Sequence, residues 1–197
     1  MDEEDSRRQE RLRQRWQKLL PDYDGEPILR AYAEPGRGYH NLEHLEEVLL
    51  WVDQVPLAQT DRDRLSIALF YHDAVYNGRR SDNEQASADW CQRDLGERAE
   101  VELILDTQHA AQPASELGRW MVDIDLSVLG SDRLRFDRYE TGVRKEYSWV
   151  PWFLFRRKRK QILLQFLDRP QLYFTDFFRQ RLEESARANL QRAVAAL

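Results

Sequence analysis

The chain has a single cysteine, Cys91, so it can close no internal disulfide. Its fold must rest on packing, and a reducing compartment is compatible with it. Long apolar runs are missing too. The most apolar stretch, Trp149-Val150-Pro151-Trp152-Phe153-Leu154-Phe155, falls far short of the roughly 20 residues a membrane span needs. The opening Met1-Asp2-Glu3-Glu4-Asp5 is acidic and has no apolar core, so it does not read as a signal peptide. There is no excess of basic charge: 30 Lys and Arg stand against 35 Asp and Glu, a net charge of −5. That balance supplies no global pull toward nucleic acid or an anionic membrane, and neither partner is expected. β-Alternating runs, internal repeats and shifts of composition are also absent. What remains is the expectation of a soluble, cytoplasmic protein whose 197 residues form one domain around one sizeable core.

Helical signals are present almost throughout. Residues 4–20 place Leu12, Trp16, Leu19 and Leu20 on one face of a charged segment, and Pro21 ends it. Pro27 opens a short helix through Ala33, and Pro35-Gly36-Arg37-Gly38 is a turn. Asn41 is placed to cap a helix bearing Leu42, Leu45, Val48, Leu49 and Val52. Asp61 or Asp63 starts the next, with Leu65, Ala68, Leu69 and His72 on related faces. After the Asn77-Gly78 break, Ser81 or Asp82 caps a helix that Gly96 closes. Further helices are expected over about 97–109, from about 115 to Asp125 with a stop near Gly130, and at roughly 132–147, 151–168 and 175–195. The expected class is all-α.

Histidine is scarce as well, and its placement is informative. All four histidines fall between residues 40 and 109, in the order Tyr39-His40-Asn41-Leu42-Glu43-His44, Tyr71-His72-Asp73, then His109, followed by Asp123-Ile124-Asp125. Neutral imidazoles and ionised carboxylates are the ligands of borderline divalent metals at neutral pH. His40 and His44 are four residues apart and share a helix face. Adjacent residues such as His72 and Asp73 diverge by roughly 100° in mid-helix, but at a helix end they can straddle one ion or bridge two. Asp123 and Asp125 lie in the apolar stretch Trp120–Leu129 and require a counter-charge, from Lys or Arg or from a dication.

The ordered pattern His, His-Asp, Asp on helices resembles the HD superfamily of metal-dependent phosphohydrolases, and Tyr39-His40-Asn41-x-x-His44 is similar to the opening motif of its cyclic-nucleotide phosphodiesterases. Asn83-Glu84 with Ser87-Ala88, Thr107-x-His109, Leu126–Gly130, Arg144-x-Glu146-Tyr147 and Asn189-Leu190 resemble a bacterial branch of HD phosphohydrolases of about this length. The resemblance implies a helical HD-type bundle, its metal core at about 39–130 and extra C-terminal helices at about 131–197. It implies His44, His72, Asp73 and Asp125 as ligands of one or two divalent transition ions (Mn, Fe, Co, Ni or Zn). Asp125 is preferred because Asp125-Leu126-Ser127 matches the acidic end of the pattern; Asp123 is then a supporting group or a cap. It also implies His40 as general acid, oriented by Asn41. After His72-Asp73 the phosphodiesterases' further histidine and proline-glycine are missing, so their purine pocket is not implied.

The function so implied is metal-assisted hydrolysis of a small phosphate ester, a nucleotide by preference, with Asp73 bridging if a second ion binds. His109 is a candidate for that second ion or for the phosphate, and Glu84 is either a supporting base or an ordinary first-turn acid. Arg79, Arg80, Arg144 and Lys145 are candidate phosphate donors. The run Arg156–Lys160 reads as a solvated helix face. Trp149, Trp152, Phe153 and Phe155 read as core, with any exposed subset a candidate homodimer face. Two other readings stand beside this one: a di-iron oxygenase of HD type, and a ligand-binding regulator on the same fold. An intact His40 argues against the regulator.

Overall fold

A computed structural model describes residues 3–109 and 111–197. The helices, in chain order, are α1 (Glu3–Leu19), α2 (Glu26–Tyr32), α3 (Leu42–Gln54), α4 (Gln59–Tyr71), α5 (Asn83–Leu95), α6 (Val101–Asp106), α7 (Glu116–Asp125), α8 (Arg133–Glu146), α9 (Trp152–Leu167) and α10 (Asp176–Ala196). Short 3-10 turns at Gly96–Arg98 and Leu126–Gly130 precede α6 and follow α7. No strand occurs among the described residues, so the chain is all-α. No helix is long and apolar enough to cross a membrane.

Helix α4 is the innermost element. Every residue from Leu65 to Tyr71 is buried, the signature of a helix covered on all sides. Each large apolar side chain there contributes about 1.5–3 kcal/mol by leaving water. Helices α1 and α3 pack against it from amphipathic faces, through Leu12 and Trp16 in α1 and Leu45, Val48, Leu49 and Val52 in α3. Trp16 meets Phe70 edge-on, with centroids 5.1 Å apart.

The C-terminal third holds the end of α7 in place. Asp123 is fully buried and accepts hydrogen bonds from Phe174 N, Thr175 N and Thr175 Oγ1, each at 2.7 Å. Asn189 Nδ2 donates to Leu129 O at 3.0 Å and to Ser131 O at 2.9 Å, and Ser185 Oγ to Gly130 O at 2.8 Å. Tyr173 OH reaches Leu126 O at 3.1 Å. The 3-10 turn that follows Asp125 is thereby tied to α10 along its length.

Several local expectations differ from what is observed. Helix α4 begins at Gln59, ahead of Asp61 and Asp63, because the Gln59 side chain pairs one turn on with Asp63 Oδ1 at 2.7 Å and supports an earlier first turn. The helix expected over 97–109 is shorter: α6 ends at Asp106, where Thr107 Oγ1 takes the Ile104 carbonyl at 2.7 Å. Arg159 is not on a solvated face; it is buried and paired with Glu140 and the Tyr139 hydroxyl. Of the aromatics expected in the core, Phe155 is buried, but Trp149, Trp152 and Phe153 are 50%, 51% and 70% exposed.

Replacing Asp123 by Ala strands two amides and a hydroxyl, and it is expected to lower unfolding free energy by about 2–4 kcal/mol. Urea denaturation reads this directly; a change below about 0.5 kcal/mol would place Asp123 among ordinary surface sites.

Candidate metal centre

Three chain segments deliver the centre. Asn41 caps α3, its Oδ1 accepting from Glu43 N at 2.9 Å and His44 N at 3.3 Å. His44 therefore lies in the first turn on the buried face of α3. His72 sits at the C-cap of α4, so His72 and Asp73 occupy a helix end, where adjacent residues can face one point. Asp125 is the last residue of α7. The ligand-type atoms of His44, His72, Asp73 and Asp125 all lie within 4.8 Å of one another.

The contacts inside the group are chemically telling. His44 Nε2 and His72 Nε2 face each other at 3.1 Å. His72 Nδ1 lies 2.7 Å from Leu69 O, a pure acceptor, so Nδ1 carries the proton and a neutral ring turns its Nε2 lone pair inward. Asp73 Oδ2 is 3.0 Å from His72 Nε2 and 3.5 Å from His44 Nε2. Asp125 Oδ1 is 3.5 Å from His72 Nε2 and 3.4 Å from His44 Nε2. Both histidines are only 1% exposed. Two buried imidazole nitrogens and two largely buried carboxylates converging here require positive charge between them. Protons on the imidazoles supply it in the metal-free protein; a dication supplies it with every ligand in its binding state. The four residues could hold a metal ion.

The titration directions carry the same signature. Burial opposes charge on all four groups, and their mutual attraction outweighs it. Despite burial, His72, His40 and His44 hold the Asp73 carboxyl well below the usual range. Asp125 is likewise held low by His109, His44 and His72. Burial pushes the His44 and His72 imidazoles down, but Asp73 and Asp125 raise both, His72 well above its ordinary value.

Around this group stands a second layer. His40 lies outside the cluster, its ring 6.0 Å from that of His44 and stacked on Tyr76 at 3.9 Å. Its Nδ1 bonds Glu146 Oε2 at 2.8 Å, while Glu146 Oε1 accepts from Tyr39 N at 2.8 Å and His40 N at 2.9 Å. Burial opposes the Glu146 charge, but His40 and those two amides keep its carboxyl below the usual range. The contact is possible because Gly38 and Gly142 meet backbone to backbone: a Cβ on Gly142 would lie 2.6 Å from Gly38 O. Arg37 ties the same loop to the α4 end, donating to His40 O at 3.0 Å, Asp73 O at 2.6 Å and Ala74 O at 2.8 Å. Tyr32 OH accepts from Asp73 N at 3.2 Å. His109 has a left-handed backbone (φ 54°), unusual for a side chain of its size, and sets its Nε2 3.1 Å from Asp125 Oδ2. Its Nδ1 is buried with no partner among the described residues.

Beside the cluster opens a cavity of about 660 Å³ that His40, His109, Asp125 and Glu84 line. Other residues expected at the site have different places. Asp123 is absent from the cluster and serves the 174–175 segment, and burial raises its carboxyl to about 6. Asn41 does not orient His40; besides capping α3 it donates to Gly38 O at 3.3 Å. Arg144 is occupied by the Tyr147 and Val150 carbonyls and lies over the Phe155 ring at 4.7 Å. Arg79 lies over Trp149 at 5.0 Å, and Lys145 is exposed outside the cavity lining. Arg80 does line the cavity, gripped by Asp82 at 2.8 Å through two nitrogens. Arg37, Tyr32, Tyr76 and the pairing of Glu146 with His40 were not legible as site features, since each acts across long sequence separation.

The chain matches no protein-family model, no curated protein and no solved structure.

The raised imidazoles give a pH dependence of definite sign. Groups whose folded-state pKa is raised stabilise fully below their unfolded value of about 6.5, and that contribution is lost as pH climbs through the raised values. Asp73 and Asp125, held low, lose theirs only as pH falls below about 3.8. Chelator-treated protein is therefore expected to melt at lower temperature at about pH 9 than at about pH 6, and Zn²⁺ or Mn²⁺ should remove the difference. A metal-free melting temperature that rises over that interval would contradict the arrangement.

Proposed function

We propose that the chain is a metal-dependent phosphohydrolase of HD type acting on a small phosphate ester. The observation that carries this reading is the placement of His40. It stands next to a four-residue metal-ligand group, is not part of it, and is held by Glu146 at the wall of a ligand-sized cavity. His44, His72, Asp73 and Asp125 would hold a divalent ion, which would supply water activated near neutral pH and a Lewis acid for a phosphoryl oxygen.

The side chains supply the rest. Glu146 Oε2 accepts a hydrogen bond from His40 Nδ1–H and fixes the ring, so a proton on Nε2 is the one delivered to the departing alkoxide oxygen. Tyr76, stacked on the ring, prevents it from rotating away. Arg37 holds the carbonyls of His40, Asp73 and Ala74 and so fixes the distance between proton donor and ligand pair. Cations and aromatic side chains along the cavity suit an anionic ester with a ring-bearing leaving group. A zinc peptidase fits less well, because the His-Glu-x-x-His motif is missing.

One observation favours a second reading, an iron-pair oxygenase. His109 Nε2 on the outer oxygen of Asp125 is where a ligand to a second ion would stand.

His40→Ala is expected to reduce Mn²⁺- or Co²⁺-stimulated hydrolysis of an aryl phosphate by roughly 10²–10⁴-fold with metal content unchanged. Glu146→Gln should lower kcat by less and alter the pH profile, and Asp73→Ala should abolish turnover. Loss of metal in His40→Ala would make it a ligand. Oxygen uptake by iron-loaded protein that hydrolyses no phosphate ester would favour the oxygenase.

A further inference from the structure

We propose that the cavity beside the metal centre contains a second anion subsite built on Arg169, so that the preferred ligand is a small phosphate ester bearing a further phosphate or carboxylate. The identity of the ester rests on the phosphohydrolase reading; the subsite does not. Four cations line the cavity: Arg80, Lys158, Arg159 and Arg169. Arg80 is neutralised by Asp82, and Arg159 by Glu140 with the Tyr139 hydroxyl. Lys158 is exposed.

Arg169 differs from all three. It is half-buried, and its guanidinium has no hydrogen bond or ion pair among the described residues. Its guanidinium carbon lies over the Phe166 ring, 4.6 Å from the centroid. Burial depresses its pKa, and no carboxylate opposes that effect. A cation that gives up water without an anion is normally costly, and the planar fork of arginine is suited to phosphate or carboxylate oxygens. The residue is also held in place. Arg169 N bonds Phe166 O at 3.2 Å, Arg187 holds Arg169 O at 2.8 Å, and Pro170 follows.

Its position defines what it binds. Phe166 stands edge-on to His109 at 6.3 Å, and His109 bonds Asp125. Two rings, those of Phe166 and His109, thus stand between Arg169 and the Asp125 carboxylate. The oxygens it attracts are not those of the reacting phosphate but belong to a second group across a ring- or sugar-sized spacer.

The test uses three phosphonates that cannot be hydrolysed: benzylphosphonate, 4-carboxybenzylphosphonate and 4-(phosphonomethyl)benzylphosphonate. Their binding to Mn²⁺-loaded protein is measured by calorimetry. At least one dianionic-ended compound should bind about 10-fold or more tighter than benzylphosphonate, the value of one charge-assisted pair; which one reports whether carboxylate or phosphate is preferred. Arg169→Gln should bring all three within about two-fold while leaving benzylphosphonate unchanged, and Arg169→Lys should retain part of the preference. Equal binding of the three by wild type would overturn the proposal. So would a preference that survives Arg169→Gln, or an equal loss for all three compounds. Should Arg169→Gln not fold, an undiminished preference in Arg169→Lys, which loses the fork geometry, would overturn it too. If the preference is present but no ester is hydrolysed with any metal, the subsite stands and the hydrolase reading falls.

Discussion

Two imidazole nitrogens face each other 3.1 Å apart in the interior, with two carboxylates on their flanks. Such a group is unstable without positive charge at its centre, because every member is either an acceptor or a competitor for the same protons. That demand orders much of the surrounding structure. His72 is turned inward by its bond to Leu69 O, Asp73 is steadied through its amide by Tyr32, and Asp125 is held by His109. The requirement for a cation is also what lets four polar residues occupy space that apolar side chains would fill more cheaply.

The architecture serves that group from two directions. The second half of helix α4, buried from Leu65 to Tyr71, runs into its C-cap His72 and brings the His-Asp pair to the protein's interior edge. The C-terminal helices clamp the other wall: Asp123 and Asn189 fix the segment around Asp125, and Glu146 at the end of α8 receives the His40 loop. The close approach of Gly38 and Gly142 makes that last contact geometrically accessible. Stability and site geometry are therefore coupled, since the same hydrogen bonds anchor α10 and position a metal-ligand residue.

Much of this was legible in the sequence because it is local. Helix periodicity, the Asn41 cap and the placement of His72-Asp73 at a helix end all depend on residues within a few positions of one another, and helices α1 to α3 and α7 to α10 lie close to where their patterns put them. The four ligand-type residues could be named because so few histidines were available and their order was informative. What escaped was long-range. Nothing near Glu146 announces a partner more than a hundred residues earlier, and Arg37 reads as a turn residue until its three carbonyl contacts are seen. Charge runs misled in the opposite sense: Arg144 and Arg159 are structural cations, whereas the half-buried cavity cation with no hydrogen bond or ion pair among the described residues is Arg169, an isolated residue after α9.

The metal content of protein purified without chelators, measured by elemental analysis, is the deciding quantity. At least one divalent transition ion per chain is expected, lost in His72→Ala and Asp125→Ala and retained in Asp123→Ala. A folded wild-type protein that takes up no Mn²⁺, Fe²⁺, Co²⁺, Ni²⁺ or Zn²⁺ after equilibration at neutral pH would contradict the metal centre and every functional reading built on it.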